Sequence, residues 1–427
     1  MTIALMLFGL FALILIDVPI AVALAVITVV AMVATQGLSV LPNVALTMYD
    51  GATSFPLLAI PLFILAGSIM NTTGISKRLV AFASALLGFV RGGLAMVTIG
   101  SSMFFAEISG SAVADVAALG TILIPAMKQK GYPVPFATAV MSSAATLAVI
   151  IPPSIPMILY AVMADTSVVK LFVAGIVPGV LAGFSMMGLS YWFAFRYNFP
   201  IEETFQLKKV WATFKDAMWA LLLPVIILGG IFGGFVTATE GAGLLVVAAF
   251  VIGAFIYRGL NWGTLKSAII EGGIQTAVVM LLVAASALVG GYLTEQQIPQ
   301  KLVVSITQWT DNRYVVLGLL NVFFLVIGLF LHSAAAIILV VPIVMPIVKA
   351  FGIDPIHFGL IVTLNLGIGQ QTPPVASVLI AACSVAKADI WEVSKVNIYF
   401  IAVLIAVLLL CTYVPAVPLW LVHVFYG

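Results

Sequence analysis

Asn365-Leu-Gly-Ile-Gly-Gln-Gln-Thr-Pro-Pro-Val375 lies inside an apolar run, from about His357 to Ala382, that is long enough to cross a bilayer. It nevertheless carries two glycines, two adjacent prolines and several amide or hydroxyl side chains. Proline removes a backbone N–H and clashes with the preceding turn, so a continuous helix cannot pass through unchanged. In hydrocarbon the freed carbonyls need partners, so a broken helix persists only where it is buried in protein or lines a watery cavity. An unwound segment at membrane depth is therefore a candidate ion and substrate site. The stretch has a twin, Ala144-Ala-Thr-Leu-Ala-Val-Ile-Ile-Pro-Pro-Ser154, and Pro152 and Pro153 stand 221 residues before Pro373 and Pro374. The same offset pairs Ile122 with Ile343, Pro125 with Pro346, Lys128 with Lys349 and Gly131 with Gly352. The identities fall on the punctuation of the chain, which reads as two copies of one membrane module.

Composition agrees. The chain is 63% hydrophobic and 7% charged, against about 25% charged for soluble domains. Apolar runs of 17 or more residues recur, so the expected fold is an all-α polytopic membrane protein and not a barrel of alternating short strands. The net charge of +2 comes with no basic stripe that would suggest nucleic acid. Cys383 and Cys411 both lie in apolar runs and read as buried thiols. Residues 3–35 lack a basic n-region and a small-residue cleavage site and read as a retained membrane segment, interrupted at Asp17-Val-Pro19.

The first copy takes residues 1–195 and the second 218–427, joined by a linker at 196–217. Arg196, Lys208, Lys209 and Lys215 make that linker the densest basic segment, which places it in the cytoplasm. Leu38–Ser54 reads as a polar connection. Around Glu107-Ile-Ser-Gly-Ser-Ala-Val-Ala-Asp115 two short apolar runs describe a re-entrant hairpin, about 94–127, followed by a broken helix at 134–164. The second copy repeats this with a hairpin at 315–348, its tip at His332-Ser-Ala-Ala-Ala336, and a broken helix at 357–382. Whether 3–35 and 218–257 each cross once or twice is open, and an odd number of crossings between the hairpins makes the repeats inverted.

The tip residues Ser109, Gly110, Ser111 and Asp115, with Thr146 in the first break, supply oxygen ligands suited to Na⁺. Ser333 with Gly367, Gly369 and Thr372 forms the second candidate cation site. The same small residues would also serve close helix packing, with hydroxyls bonded back to their own helix; the duplication favours the ion reading. For an anionic substrate, half-helix N-termini offer positive ends. Ser142, Ser143, Thr146, Ser154, Asn365, Gln370 and Gln371 offer orienting hydrogen bonds. Pro152, Pro153, Pro373 and Pro374 are the helix breakers. Glu107, Asp115 and Glu240 are carboxyls in apolar runs, but they are scattered and form no evident proton relay. His332 reads as a hydrogen-bonding tip residue, and Gly229, Gly230, Gly233 and Gly234 as close helix packing. No nucleotide fingerprint, zinc-protease motif or nucleophile elbow is present, so the chain reads as no enzyme, with no cofactor beyond a coupling ion.

Four stretches resemble the large membrane subunit of a tripartite ATP-independent periplasmic (TRAP) transporter. They are Pro61-Leu-Phe-Ile-Leu-Ala-Gly67, Ile108-Ser-Gly-Ser-Ala-Val-Ala-Asp115, Ile150-Ile-Pro-Pro-Ser-Ile-Pro156, and Asn365-Leu-Gly-Ile-Gly369 with Thr372-Pro-Pro-Val375. Two departures stand out: Ala238 where the family often has Pro, and Ala376 where Gly often follows Thr-Pro-Pro-Val. The resemblance implies an elevator transporter of inverted repeats in the bacterial inner membrane. Residues 92–165 and 314–390 would form the moving transport domain and the remainder a scaffold in the lipid bilayer. It implies Na⁺-coupled import of an organic carboxylate anion delivered by a soluble periplasmic binding protein. A small membrane subunit is expected as a separate chain. Val289-Gly-Gly-Tyr-Leu-Thr-Glu-Gln-Gln297 resembles the sialic-acid branch; a C4-dicarboxylate carrier and a stand-alone anion permease are the alternatives.

Overall fold

The computed structural model describes residues 18–201 and 204–427, with residues 6, 8–10, 12, 13 and 16 before them; for residues 107–109 it describes the backbone alone. The described elements are all helices, and nine of them are long and apolar enough to cross a membrane. Helices follow from the solvent, because each backbone N–H and C=O must find its partner within the segment when lipid offers none.

The duplication holds at the level of helix bounds. Displaced by 221 residues, Ala112–Gln129 falls on Ser333–Ala350, and Gly93–Ser109 falls on Arg313–Phe330 to within a residue. Ile75–Leu87 matches Ile298–Trp309 to within two residues, and Val168–Arg196 begins within one residue of where Ile390–Tyr413 does. Each hairpin thus has a first arm, a two-residue tip and a second arm, at Gly110–Ser111 and at Leu331–His332.

Both broken helices are broken where the prolines stand. The first runs Val134–Ala145, tightens to a 3₁₀ turn over Thr146–Val149, unwinds through Ser154 and resumes as Ile155–Met163. The second runs Pro355–Gly369, unwinds over 370–376 and resumes as Ser377–Ala386. Each break contains a cis Pro–Pro bond, Pro152-Pro153 and Pro373-Pro374. Freed backbone groups are satisfied locally. Ser154 donates to the Val149 carbonyl at 2.8 Å, Thr146 to Ser143 O at 2.6 Å, and Thr372 to Ile368 O at 2.8 Å. The Val378 N–H bridges the second break to Gln370 O at 2.9 Å.

The repeats interlock. Ile155–Met163 packs on the second hairpin arm Ser333–Ala350, and Ser377–Ala386 packs on Val134–Ala145 and on the first hairpin's second arm. Gly175, on Val168–Arg196, lets that helix lie against the first break. A Cβ there would sit 2.4 Å from Ile150 O. At the second break the backbones of Gly369 and Gly328 meet so closely that a Cβ on Gly369 would stand 2.5 Å from Gly328.

Several sequence-based expectations change. Residues 218–257 form two helices, Leu207–Phe232 and Ala238–Ile256, and the second opens on a capping box. Thr237 Oγ1 accepts from the Glu240 N–H, and Glu240 Oε2 accepts from the Thr237 N–H at 2.8 Å. Lys208, Lys209 and Lys215 therefore stand on a helix and not in a loop. Leu38–Ser54 contains a helix of its own, Leu41–Ala52, packed on Trp262–Glu295; its Pro42 sits in the first turn, where proline is tolerated. Gly229 and Gly234 have nothing near them, so that glycine cluster opens a helix end and does not pack one helix on another. Pro19 caps the helix Ile20–Gln36, while Asp17 and residues 3–5 lie outside the described residues.

Ala376 sits at φ 46°, ψ 57°, a left-handed conformation that costs an L-residue with a Cβ about 1 kcal/mol relative to glycine. Ala376→Gly is expected to raise the midpoint of thermal unfolding in detergent, and Gly175→Ala to lower it through about 1–3 kcal/mol of overpacking. A wild-type midpoint in both variants would show that neither backbone constraint contributes.

Candidate substrate and ion site

A cavity of about 730 Å³ lies where both hairpin tips, both breaks and the surrounding helices meet. The first tip contributes Gly110, Ser111 and Ala112, and the second His332, Ser333 and Ala334. From the breaks come Val149 and Gln370, and from the helix after the first break Ile155 and Pro156. The opposite wall is made by Ile64–Lys77 and by one face of Trp262–Glu295, including Glu271 and Gln275. The tips therefore end beside the breaks. Gly110, at φ 57°, presses the first tip against its break: a Cβ there would lie 3.2 Å from both Pro153 O and Ile155 N.

The charged lining is sparse. Lys77 and Glu271 oppose each other in sign on one wall, and His332 is the remaining titratable side chain on the cavity among the described residues. Gln370 is 2% exposed, and neither its Nε2 nor its Oε1 has a hydrogen-bond partner. A buried amide left unpaired costs about 1–3 kcal/mol, which polar contact from a bound molecule offsets.

Of the expected residues, the structure brings Gly110, Ser111, Ser333 and Gln370 onto this one cavity. It places the others in the packing around it. Ser143 Oγ lies 2.7 Å from Gln371 Oε1 and 2.9 Å from Asn397 Oδ1, and Asn397 Nδ2 donates to Gln371 O at 2.9 Å. A hydroxyl has one proton to give, so turning the Gln371 amide to donate to Ser143 satisfies both contacts. Asn365 Nδ2 donates to Asn321 Oδ1 at 2.7 Å, and Asn321 Nδ2 to Thr412 Oγ1 at 3.0 Å. These clasps fasten the second broken helix to Arg313–Phe330 and Ile390–Tyr413, a structural use of polar groups in a membrane protein. Ser142 Oγ and Asn365 Oδ1 are buried without partners. A Cβ on Gly367 would stand 3.7 Å from Thr146 O, and one on Gly369 would stand 2.5 Å from Gly328. Asp115 is fully buried in the first turn of the first hairpin's second arm. The side chains of Glu107 and Ser109 lie outside the described residues. Glu240 is committed to its capping box, and the described residues hold no cluster of three metal-ligating side chains.

Sequence reasoning passed over Asn321, Asn397 and Glu271. The signal was present: an amide or carboxyl within an apolar span needs a partner or a cavity. Which helix supplies it depends on crossing geometry that a linear pattern does not carry.

The family described as "Tripartite ATP-independent periplasmic transporter, DctM component" matches residues 7–417. An isethionate TRAP transporter permease protein, DctMQ, of Oleidesulfovibrio alaskensis is 42% identical over 97% of this chain, which spans 65% of that relative's length. A C4-dicarboxylate TRAP transporter large permease protein of Pseudomonas aeruginosa is 37% identical over 88% of each chain. A 2,3-diketo-L-gulonate TRAP transporter large permease protein of Escherichia coli is 37% identical over 87% of each. Among solved structures, the YdaH transporter of Alcanivorax borkumensis superposes with a TM-score of 0.62 over 88% of each chain at 17% identity, a likeness of fold.

Replacing Asn397 by Leu removes the donor to Gln371 O and an acceptor near Ser143, at an expected cost of about 1–3 kcal/mol in thermal unfolding. A midpoint equal to the wild type would show that the clasp does not hold the break.

Proposed function

The chain belongs to the DctM-component family of tripartite ATP-independent periplasmic transporters, a multi-pass protein of the bacterial inner membrane, and from that premise we propose that it carries an organic acid anion inward with Na⁺. The observation behind this reading is a cavity bounded by both tips and both breaks on one side and by residues 64–77 and 271–279 on the other. A substrate held there sits between a duplicated unit, residues 92–165 with 314–390, and the remaining helices. An elevator moves the first past the second. Between the hairpins lie the first broken helix and four spans: Val168–Arg196, Leu207–Phe232, Ala238–Ile256 and Trp262–Glu295. Ile298–Trp309, at 12 residues, is too short to cross. The odd total supports inverted repeats.

Na⁺ is the coupling ion in this reading. Gly110, Ser111 and the Pro153 carbonyl lie together at the first tip, with Asp115 one turn further on, and such neutral and acidic oxygens suit a hard cation. Thr146 belongs to the 3₁₀ turn that packs on both arms of the first hairpin. Of the second candidate set, Ser333 lines the cavity, while Thr372 bonds back to Ile368 O and Gly369 packs on Gly328, so the first tip is the stronger cation site. The substrate is an organic acid. Isethionate, C4-dicarboxylates and diketogulonate are named for relatives, and sialic acid is the expectation from Val289–Gln297. A small membrane subunit and a periplasmic binding protein complete the system.

The test is uptake into proteoliposomes holding the assembled system, with labelled sialic acid, succinate and isethionate and an inward Na⁺ gradient. Accumulation of one acid that needs Na⁺ and the binding protein is expected. Asp115→Asn is expected to raise the half-saturating Na⁺ concentration about tenfold, the loss of one strong charge-assisted ligand. Accumulation that follows a pH gradient and ignores Na⁺ would overturn the coupling, and uptake without the binding protein would remove that partner.

A further inference from the structure

The duplication that is so regular in the backbone fails in the chemistry of the cavity. Displaced by 221 residues, Val149 corresponds to Gln370, Asp115 to Ala336 and Ser111 to His332. Val149, Ser111, Gln370 and His332 all line the cavity. The first-repeat side therefore presents an apolar break, and its helix carries a buried carboxyl in the first turn. The second-repeat side presents an amide at the break and a helix with no acidic residue in its first turn.

That helix, Ser333–Ala350, starts on the cavity wall. Its N-cap residue is His332, whose side chain makes no capping bond. The first N–H groups of a helix lack intrahelical partners and carry the positive end of its dipole, so an anion beside them is favoured. Gln370 supplies the independent observation: it is buried, lines the same cavity and has no partner for either end of its amide. Elsewhere on the cavity a negative charge is poorly served. Lys77 shares the opposite wall with the acidic Glu271, and the first hairpin's second arm already has Asp115 at its positive end.

We propose that the anionic head of the substrate is held at the second tip, by the start of Ser333–Ala350 with His332 and Gln370. The site takes an organic acid with one oxyanion head, a carboxylate or sulfonate, and a neutral polar body. This rests on the transport reading above. The first tip is the cation's side, so the two repeats divide the two charges between them. The body of the substrate faces the hydroxyls and amides of the other wall, Ser68, Asn71 and Gln275.

The test uses the assembled transporter in proteoliposomes and three variants. His332→Asp replaces the N-cap with a strong capping residue, so the thermal midpoint should hold or rise while a negative charge occupies the head's position. Gln370→Glu is nearly isosteric and does the same from the break. Both are expected to raise the KM for the transported anion about tenfold or more, with half-saturation by Na⁺ unchanged. His332→Asn caps without charge, so it separates loss of the imidazole from the added charge and should raise KM less than His332→Asp does. Monoanionic competitors should inhibit better than succinate. Wild-type KM in His332→Asp and Gln370→Glu, or succinate as the stronger inhibitor, overturns the proposal while leaving transport intact. If His332→Asp fails to fold, Gln370→Glu decides alone. A wild-type complex that carries no organic anion removes the transport reading and this one with it.

Discussion

A helix that stops being a helix inside hydrocarbon must find new partners for its backbone, and the rest of the structure depends on how that is done twice. At each break the nearest help is local: Thr146, Ser154 and Thr372 turn their hydroxyls back onto carbonyls of their own helix. What local groups cannot reach is supplied from elsewhere, as Asn397 does for Gln371 O. Neighbouring helices bury the first break throughout, while Pro374 and Val375 of the second stay exposed. The interlocked packing, with each resumed helix against an arm from the other repeat, is the tertiary form of the same requirement.

Much of this was legible in the chain. Paired prolines at a fixed offset located both breaks, and the 221-residue displacement gave helix bounds in the second repeat from those in the first. Thr237-Ala-Thr-Glu240 carried a helix-start signature that its setting between apolar runs obscured, so Glu240 looked like an intramembrane carboxyl when it is a cap. Glycine was the least readable residue. Gly229 and Gly234 look like a packing motif but have open space where a Cβ would stand, while Gly328 and Gly369 bring the second hairpin's first arm and the second broken helix together. Sequence spacing gives a helix face, but the partner face and crossing point come from the whole bundle.

The candidate site was legible in outline and not in detail. Ser142, Ser143, Asn365 and Gln371 are the same residue types as Gln370 and stand within a few positions of a break, yet the fold turns them into its packing and turns Gln370 to the cavity. Polarity in a membrane helix marks a group that must be satisfied; geometry decides whether protein or cargo satisfies it. The repeats then differ where it matters: an acidic, apolar half opposite a half with an amide and a free helix start. A symmetric backbone with asymmetric lining suits a carrier that takes a cation and an anion across together.

The most direct measurement is a cryo-electron microscopy structure of the complex in lipid nanodiscs with its transported anion and Na⁺. The account predicts density for the anion's head between His332 and Gln370, at the start of Ser333–Ala350, with cation density on the Ser111 side. Anion density beside Asp115 and Val149, or outside the cavity formed by the two tips, would contradict it.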